Sequence, residues 1–289
     1  MQITGTVVDD AFDNGQIATN PNGIGTGWNP GTFNGGQAPV ETGGAFVGAM
    51  GTENGISAIQ GRDVFTVWDD AGATVTWTIR SMTVNTPHKY NYFFAYCWEM
   101  GIVSANASNA GTAWNMSGPN KKGGFYIQIG KKDGGNQAEI WITVTNKTNT
   151  GDPTSSGFYV PTQTGTAPGG IGPVFTVSFP IVVTATFTRN GWSVSTNQAG
   201  LAPISGNWTT SLQATGKDAR ITDEFENGVF LFTAARNHGI DGSGKSFTPN
   251  TGEMDHVTVV RGAALPAVAT PVIVPDGGGF SRSVQVCLS

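Results

Sequence analysis

The chain has 289 residues, of which 42 are glycine and only 12% are Asp, Glu, Lys or Arg, and its formal net charge is −5. That length fits two average domains or one large all-β domain, and a core of that size can fold without disulfides or metals. No basic run exceeds Lys121-Lys122 or Lys131-Lys132, and no apolar run approaches the ~20 residues that span a bilayer, so neither nucleic acid nor membrane insertion is expected.

Soluble proteins carry roughly 25% charged residues. A surface rich in Thr, Ser, Asn and Gly instead suits an extracellular or assembly-bound setting; a β-rich chain with many turns is the simpler alternative. Residues 1–10 lack the basic start and apolar centre of a signal peptide. The expectation is therefore a processed form, or export by another route such as a virion. The two cysteines, Cys97 and Cys287, show no metal or redox spacing, and Cys97, set among aromatics, reads as a buried thiol.

In chain order, the first signal is Val7-Val8-Asp9-Asp10-Ala11-Phe12-Asp13-Asn14-Gly15, an acidic and aromatic run ending in a turn. Residues 73–80 alternate Val75, Trp77 and Ile79 against Thr74, Thr76 and Thr78, the two-residue period of a strand with one buried face. Residues 90–98 (YNYFFAYCW) place Tyr90, Tyr92, Phe94, Tyr96 and Trp98 on one face. Each buried tyrosine hydroxyl needs a partner, so that face could line a ligand surface where flat rings stack on sugars. The alternative is that it forms the core, with hydroxyls reaching its edges. Trp114, in a Gly/Asn/Ser loop, is a further ligand candidate or an anchor for its loop.

Residues 124–130 and 138–145 read as a hairpin across 131–137. Tyr126 and Gln128 share one surface of it, and Trp77 and Trp141 are expected inside the sandwich. Residues 184–196 hold Asn190-Gly191 between two alternating runs, which predicts a hairpin with a type I′ turn. Residues 218–227 are the short helical candidate, residues 223–226 reading as an acidic surface turn. Residues 229–235 and 255–260 are the later strands. Four long Gly/Pro/Ser/Thr stretches, 19–44, 104–124, 145–172 and 237–253, are expected as loops. A second unit is predicted at 263–289: a Pro-rich linker, a turn at 276–279, and an alternating strand carrying Val284, Val286 and Leu288. A lone strand cannot bury its apolar face, so this tail is expected to pair with something, in its own chain or in a neighbour.

The entry run, Gly25-Thr26-Gly27-Trp28, Glu226-Asn227-Gly228-Val229-Phe230-Leu231 and Met254-Asp255-His256-Val257-Thr258-Val259 together resemble the concanavalin A-like jelly-roll superfamily, especially laminin G-like bacterial modules. The resemblance covers residues 5–262. It implies an all-β sandwich of two antiparallel sheets, with a concave outer face that in many members holds a glycan. It also implies Ca²⁺ where first and last strands meet, with Asp10 and Asp255 as the leading ligands and Asp13 beside them. The alternative for these acids is Asx-turn capping without metal. Residues 269–289 resemble the opening strands of the small immunoglobulin-like domain that ends many chitobiase-like enzymes.

Catalytic motifs of this superfamily are incomplete here. Laminarinase-type glucanases place acids near Glu-x-Asp-x-x-Glu on one strand; Glu253-Met254-Asp255 starts that pattern and no third acid follows. A lyase needs groups that neutralise a uronate and abstract a proton, yet no His follows Gln128 and no Arg-x-Glu strand accompanies it. The reading is a non-catalytic, extracellular or surface-displayed carbohydrate-binding module, its partner a glycan or cell-surface polysaccharide. The ligand residues expected are Tyr90, Tyr92, Tyr96, Trp98, Trp114, Tyr126 and Gln128. The runner-up is a structural subunit of a virion or filament, self-assembling through residues 265–289. A polysaccharide lyase or glycoside hydrolase comes third.

Overall fold

The structure is a computed structural model that describes residues 5–33, 36–48, 55–67, 71–87, 94–105, 124–145, 156–158, 174–206, 208, 225, 227–237 and 249–262. Its described residues form two antiparallel sheets of eight strands each. The first runs β14 (Ile204–Gly206), β13 (Gly191–Thr196), β12 (Ile181–Thr188), β6 (Ala73–Thr83), β16 (Thr251–Arg261), β4 (Phe46–Val47) and β3 (Val40–Glu41), with β1 (Gly5–Asp10) also on β16. The second runs β10 (Ser156–Phe158), β9 (Gln137–Thr145), β8 (Gly124–Lys131), β7 (Tyr96–Ser104), β15 (Val229–Asn237), β5 (Ile56–Phe65) and β2 (Trp28–Phe33), with β11 (Val174–Thr176) also on β9. This is a jelly-roll sandwich. Strand β1 lies antiparallel to β16, with Asp10 opposite Val257, so the expected meeting of entry and exit strands is observed.

The period of two builds the core. On β6 and β12, Val75, Trp77, Ile79, Ile181, Val183, Ala185 and Phe187 are buried, while the threonines between them are half-buried. Across the sandwich, Trp77 Nε1 donates to Thr233 Oγ1 at 3.1 Å, one polar bond tying the two sheets. Phe12 lies 5.8 Å from Trp28 and 5.9 Å from Phe46, and Phe46 meets Trp98 edge-on at 5.3 Å. At the other end Phe125 packs against Phe187 at 5.1 Å and Trp192 at 4.9 Å. Each such ring, fully buried, contributes on the order of 1.5–3 kcal/mol from area alone.

Three local expectations change. The 184–196 hairpin forms, but its loop is Arg189-Asn190, since Thr188 pairs with Gly191, and neither loop residue has a positive φ. Thr188 Oγ1 accepts from Asn190 N at 3.3 Å, and this side-chain bond closes the turn without the left-handed backbone of a type I′ loop. The stretch 19–44 contains β2 and β3. Pro30 hides β2 from sequence, but β2 is an edge strand, where proline is tolerated. Regular pairing of β7 begins only at Tyr96, so residues 90–98 are not one uninterrupted strand. The proposed helix at 218–227 falls almost wholly outside the described residues, and the unit at 263–289 lies entirely outside them.

Candidate functional site

Strands β5, β15, β7, β8 and β9 give one face to the sandwich and the other to the outside of the second sheet. Inward go Ile59, Leu231, Tyr96, Trp98, Met100, Phe125, Ile127, Ile129, Ile140 and Ile142. The residues between them therefore share the outer face, and strand register sorts them into rows. One row is Ala58, Ala234, Glu99, Gln128 and Trp141. A second is Gln60, Phe232, Gly101 and Tyr126. A third is Ile56, Arg236, Cys97, Gly130 and Glu139.

The middle of this face is floored by small residues and flanked by rings. Tyr126 and Phe232 stand edge to face at 5.5 Å, and Phe94 and Trp141 lie 4.5 Å apart. Phe94 is folded over Gly130, where a Cβ would come within 2.3 Å of its ring, so only glycine fits beneath it. Although this is an outer face, β7 and β8 are buried throughout.

Charge is therefore costly here. The Glu99 side chain is 2% exposed, with Arg236 Nη1 3.8 Å from its Oε2. Burial raises the Glu99 carboxyl above the usual carboxylate range, against the smaller opposing pulls of Arg236 and of a hydrogen bond from Gln128. Glu99 Oε1, Arg236 Nε, and both ends of the fully buried Gln60 amide have no hydrogen-bond partner. Native structures rarely leave such atoms unpaired without a reason. Glu139 is the second acid of the face; it accepts from Trp141 Nε1 at 3.1 Å and pairs with Lys132. Glu99 and Glu139 sit two strands and two residues apart, roughly 12 Å between backbones by ordinary sheet spacing.

The expected ligand residues divide. Tyr96 and Trp98 are core residues, so the ladder expected to bind a ligand is, over these two positions, sandwich interior. Tyr96 can be buried because its hydroxyl donates to Gly48 O at 2.9 Å, and Trp98 Nε1 reaches Ser81 O at 3.5 Å. Phe94 leaves their face and joins Cys97 and Trp141 on the other side. Cys97 is buried, and burial pushes its thiol far above the usual range. Trp141, expected inside, faces outward. Tyr126 and Gln128 do share the outer face, on neighbouring rows. Tyr90, Tyr92 and Trp114 lie outside the described residues. Sequence reasoning missed Glu99, Arg236 and Gln60. A glutamate inside the aromatic run at 96–100 was the available signal for the first; β5 and the end of β15 offered none.

Of the expected calcium ligands, Asp10 and Asp13 lie near one another at the entry turn, whereas Asp255 is engaged elsewhere. Asp10 points inward and accepts from Trp28 Nε1 at 2.6 Å and Phe12 N at 2.8 Å. Asp13 accepts from Asn22 Nδ2 at 3.0 Å. Asp255, half-exposed on the opposite face of the first sheet, pairs with Arg80. Their oxygens are taken by separate partners, and among the described residues no group of three or more His, Cys, Asp or Glu could hold an ion. Asx capping is present at the turn: Asp10 caps Phe12 N, and Asn14 Oδ1 accepts from Gln16 N at 2.8 Å. The Glu253–Asp255 fragment makes a surface ion cluster with Arg80 on the first sheet, remote in the fold from Glu99.

No family model matches the sequence, and no curated protein matches it. Solved structures do. The catalytic domain of an endo-1,3-beta-glucanase (laminarinase) from Thermotoga petrophila RKU-1 superposes with a TM-score of 0.51 at 11% identity, covering 91% of this chain and 100% of its own. An immunostimulatory antigen and pseudo beta-1,3-glucanase of Mycobacterium tuberculosis gives 0.50 at 13% identity, over 90% and 100%. The laminarinase catalytic domain from Thermotoga maritima MSB8 gives 0.50 at 11%, over 91% and 100%. At these identities the likeness is one of fold, and it bears out the jelly-roll resemblance at that level. The neighbours stand against the expectation of a non-catalytic binding module, since two of these three are glucanase catalytic domains and the third is a pseudo beta-1,3-glucanase.

Proposed function

We propose that the chain is a glycoside hydrolase that cleaves a polysaccharide on the outer face of its second sheet, with Glu99 as general acid. The observation that carries this is Glu99 itself: a carboxyl buried at the centre of an aromatic-flanked face, its burial favouring the protonated form. A glycosidic oxygen leaves as an alcohol only if it is given a proton, and burial is the usual means of keeping a carboxylic acid protonated near neutral pH. Gln128, hydrogen-bonded to Glu99, fixes its orientation. Tyr126 and Trp141 share this outer face with Glu99, packed against Phe232 and Phe94.

Glu139 is the second carboxylate of this reading. The backbone offset of roughly 12 Å suits an inverting arrangement, with carboxyls roughly 6.5–9.5 Å apart and a water between them, better than a retaining one at roughly 5–5.5 Å. The fold neighbours include laminarinases, which makes a β-1,3-glucan the first substrate to try. A polysaccharide substrate places the protein outside the cell or in a lumen.

The test is release of reducing ends from a panel of polysaccharides that includes laminarin. Wild type should release them, and Glu99→Gln should lower the rate on the order of 10²–10⁴-fold, the usual contribution of a positioned acid. Binding without any release, or a Glu99→Gln protein as active as wild type, would overturn the reading.

A further inference from the structure

The two carboxyls of the proposed site are held in different ways. Glu139 of β9 lies across from Gly130 of β8. Lys132 follows two residues after Gly130, so its side chain leaves on the same outer face and meets Glu139 on the diagonal. Its Nζ pairs with Glu139 Oε1, while Trp141 Nε1 donates to Glu139 Oε2 at 3.1 Å. A carboxyl that accepts at both oxygens is arranged as a carboxylate. Glu99 differs: its Oε1 is buried and has no partner. The Glu139 side chain is 6% exposed and that of Lys132 30%, so an ammonium at the edge of the water covers a carboxylate held out of it. Burial disfavours the charged form of such a group; a facing cation and a donated N–H favour it.

Each partner of Glu139 is itself fixed. Phe94 lies over Gly130 and packs on Trp141 at 4.5 Å, which holds the indole whose N–H reaches Glu139. The hairpin that carries Lys132 is tied by Asp133 Oδ1, which accepts from Gly135 N at 2.7 Å, and by Asn136 O, which accepts from Val177 N at 2.7 Å. Lys131 cannot take the place of Lys132, because it points into the sandwich, where its Nζ reaches Met82 O at 3.5 Å. The other residues facing Glu139 bring no charge. They are Gly130, the buried thiol of Cys97 beyond it, and Val174 across on β11. Arg236 lies three strands away in the same row.

We propose that Lys132 is the positioning residue of the base: it keeps Glu139 charged and aimed, which commits Glu139 to accept a proton while Glu99 gives one. The inference rests on the hydrolase reading. In that step a water oxygen bonds to the anomeric carbon and its proton goes to Glu139; the glycosidic C–O bond breaks, and the leaving oxygen takes the proton of Glu99. One turnover leaves Glu139 protonated and Glu99 charged, so Glu139 must lose a proton to solvent and Glu99 regain one. The ammonium beside Glu139 favours that loss.

The test compares full-length wild type, Lys132→Met and Lys132→Arg on laminarin. Lys132→Met should lower kcat roughly tenfold or more, change KM less than about threefold, and move the low-pH limb of the kcat/KM profile to higher pH. Lys132→Arg keeps the charge and should restore most of both. A lysine with a merely structural role would leave the limb where it is. Trp141→Phe, which removes the indole N–H and keeps a ring, should move it the same way by less. Lys132→Gln takes the place of the methionine variant if that does not fold. A second readout needs no turnover: the carboxyl ¹³C resonance of Glu139, assigned by its loss in Glu139→Gln, should titrate at higher pH in Lys132→Met than in wild type. An unmoved low-pH limb, an arginine variant as impaired as the methionine one, or a Glu139 resonance that titrates alike with and without Lys132 would overturn the proposal. The hydrolase reading fails separately, by wild type that releases nothing or by full activity of Glu99→Gln; the carboxyl titration then still decides whether Lys132 keeps Glu139 charged.

Discussion

The two sheets present outer faces of opposite character. On the first, Thr74, Thr76 and Thr78 of β6 lie beside Thr186, Thr184 and Val182 of β12, with Ser193 and Ser195 of β13 next in register. These side chains are half-buried, and Thr74 and Thr186 hydroxyls lie 3.3 Å apart. Charge stays at the border, in the Arg80–Asp255 pair, with the Asp9–His256 contact beside it. On the second sheet the outer face is buried, and it holds a carboxyl, a guanidinium and an amide with unpaired atoms. Polar groups that water can reach cost little and indicate little. Polar groups held out of water without partners are unfavourable for folding, which is why chemistry is sought on the second sheet.

The sharpest way to break this comparison is steric. At Gly101 an added Cβ would stand 1.9 Å from Phe125 O, a backbone atom of the neighbouring strand that cannot swing aside. Gly101→Ala should force β7 and β8 apart and cost about 3 kcal/mol or more, at the upper end of overpacking effects. Equilibrium urea unfolding would measure it. A loss below about 1 kcal/mol would show that the second sheet has slack at its centre, and that its buried polar row is less confined than its burial implies.

How much of this was legible beforehand follows the same division. The first sheet could be read directly, because one dry and one wet face print a clean alternation: Val75, Trp77 and Ile79 against threonines. The meeting of entry and exit strands was legible from the acidic-aromatic run and its returning partner. The second sheet could not be read in this way. With both faces buried, β7 and β8 lose the contrast that separates inside from outside, and Tyr96 and Trp98 were as compatible with a ligand surface as with the core. What decided them was a long-range contact, Tyr96 to Gly48, which no local pattern encodes. Gln60 and Arg236 were invisible for a related reason. Each becomes notable only through what it lacks as a neighbour, and that depends on the register of β5, β15 and β7.

A smaller effect should appear with pH. Asp10, Glu41 and Glu99 are raised above the usual carboxylate values, in each case chiefly by burial. A carboxyl raised in the folded state binds its proton more tightly there than in the unfolded chain, so folding is favoured by falling pH. Stability should therefore decline as pH rises from the usual carboxylate range through the raised folded values, and level off above them. Thermal melts across that interval should show the decline. Glu99→Gln should remove the part due to the second sheet and leave the part due to Asp10 and Glu41, whose carboxylates accept from backbone N–H groups of the entry turn. A profile unchanged by Glu99→Gln would place Glu99 in a wetter setting and weaken its role as an acid.

The smallest expected effect lies on the first sheet. Thr186 is half-buried, and its hydroxyl meets Thr74 at 3.3 Å in a setting open to water. It also lines an open hollow of about 310 Å³ together with Thr188, Asn190, Trp192 and Ser193. Thr186→Ala removes one exposed hydroxyl pair and a branched side chain suited to a strand, and should cost no more than about 0.5 kcal/mol. It should leave polysaccharide binding and cleavage unchanged, because solvent satisfies what the hydroxyl loses. If Thr186→Ala instead weakened binding several-fold while the melt stayed put, the depression on β12 and β13 would be a second contact for the polymer, and the division between a quiet face and a functional one would fail at that point.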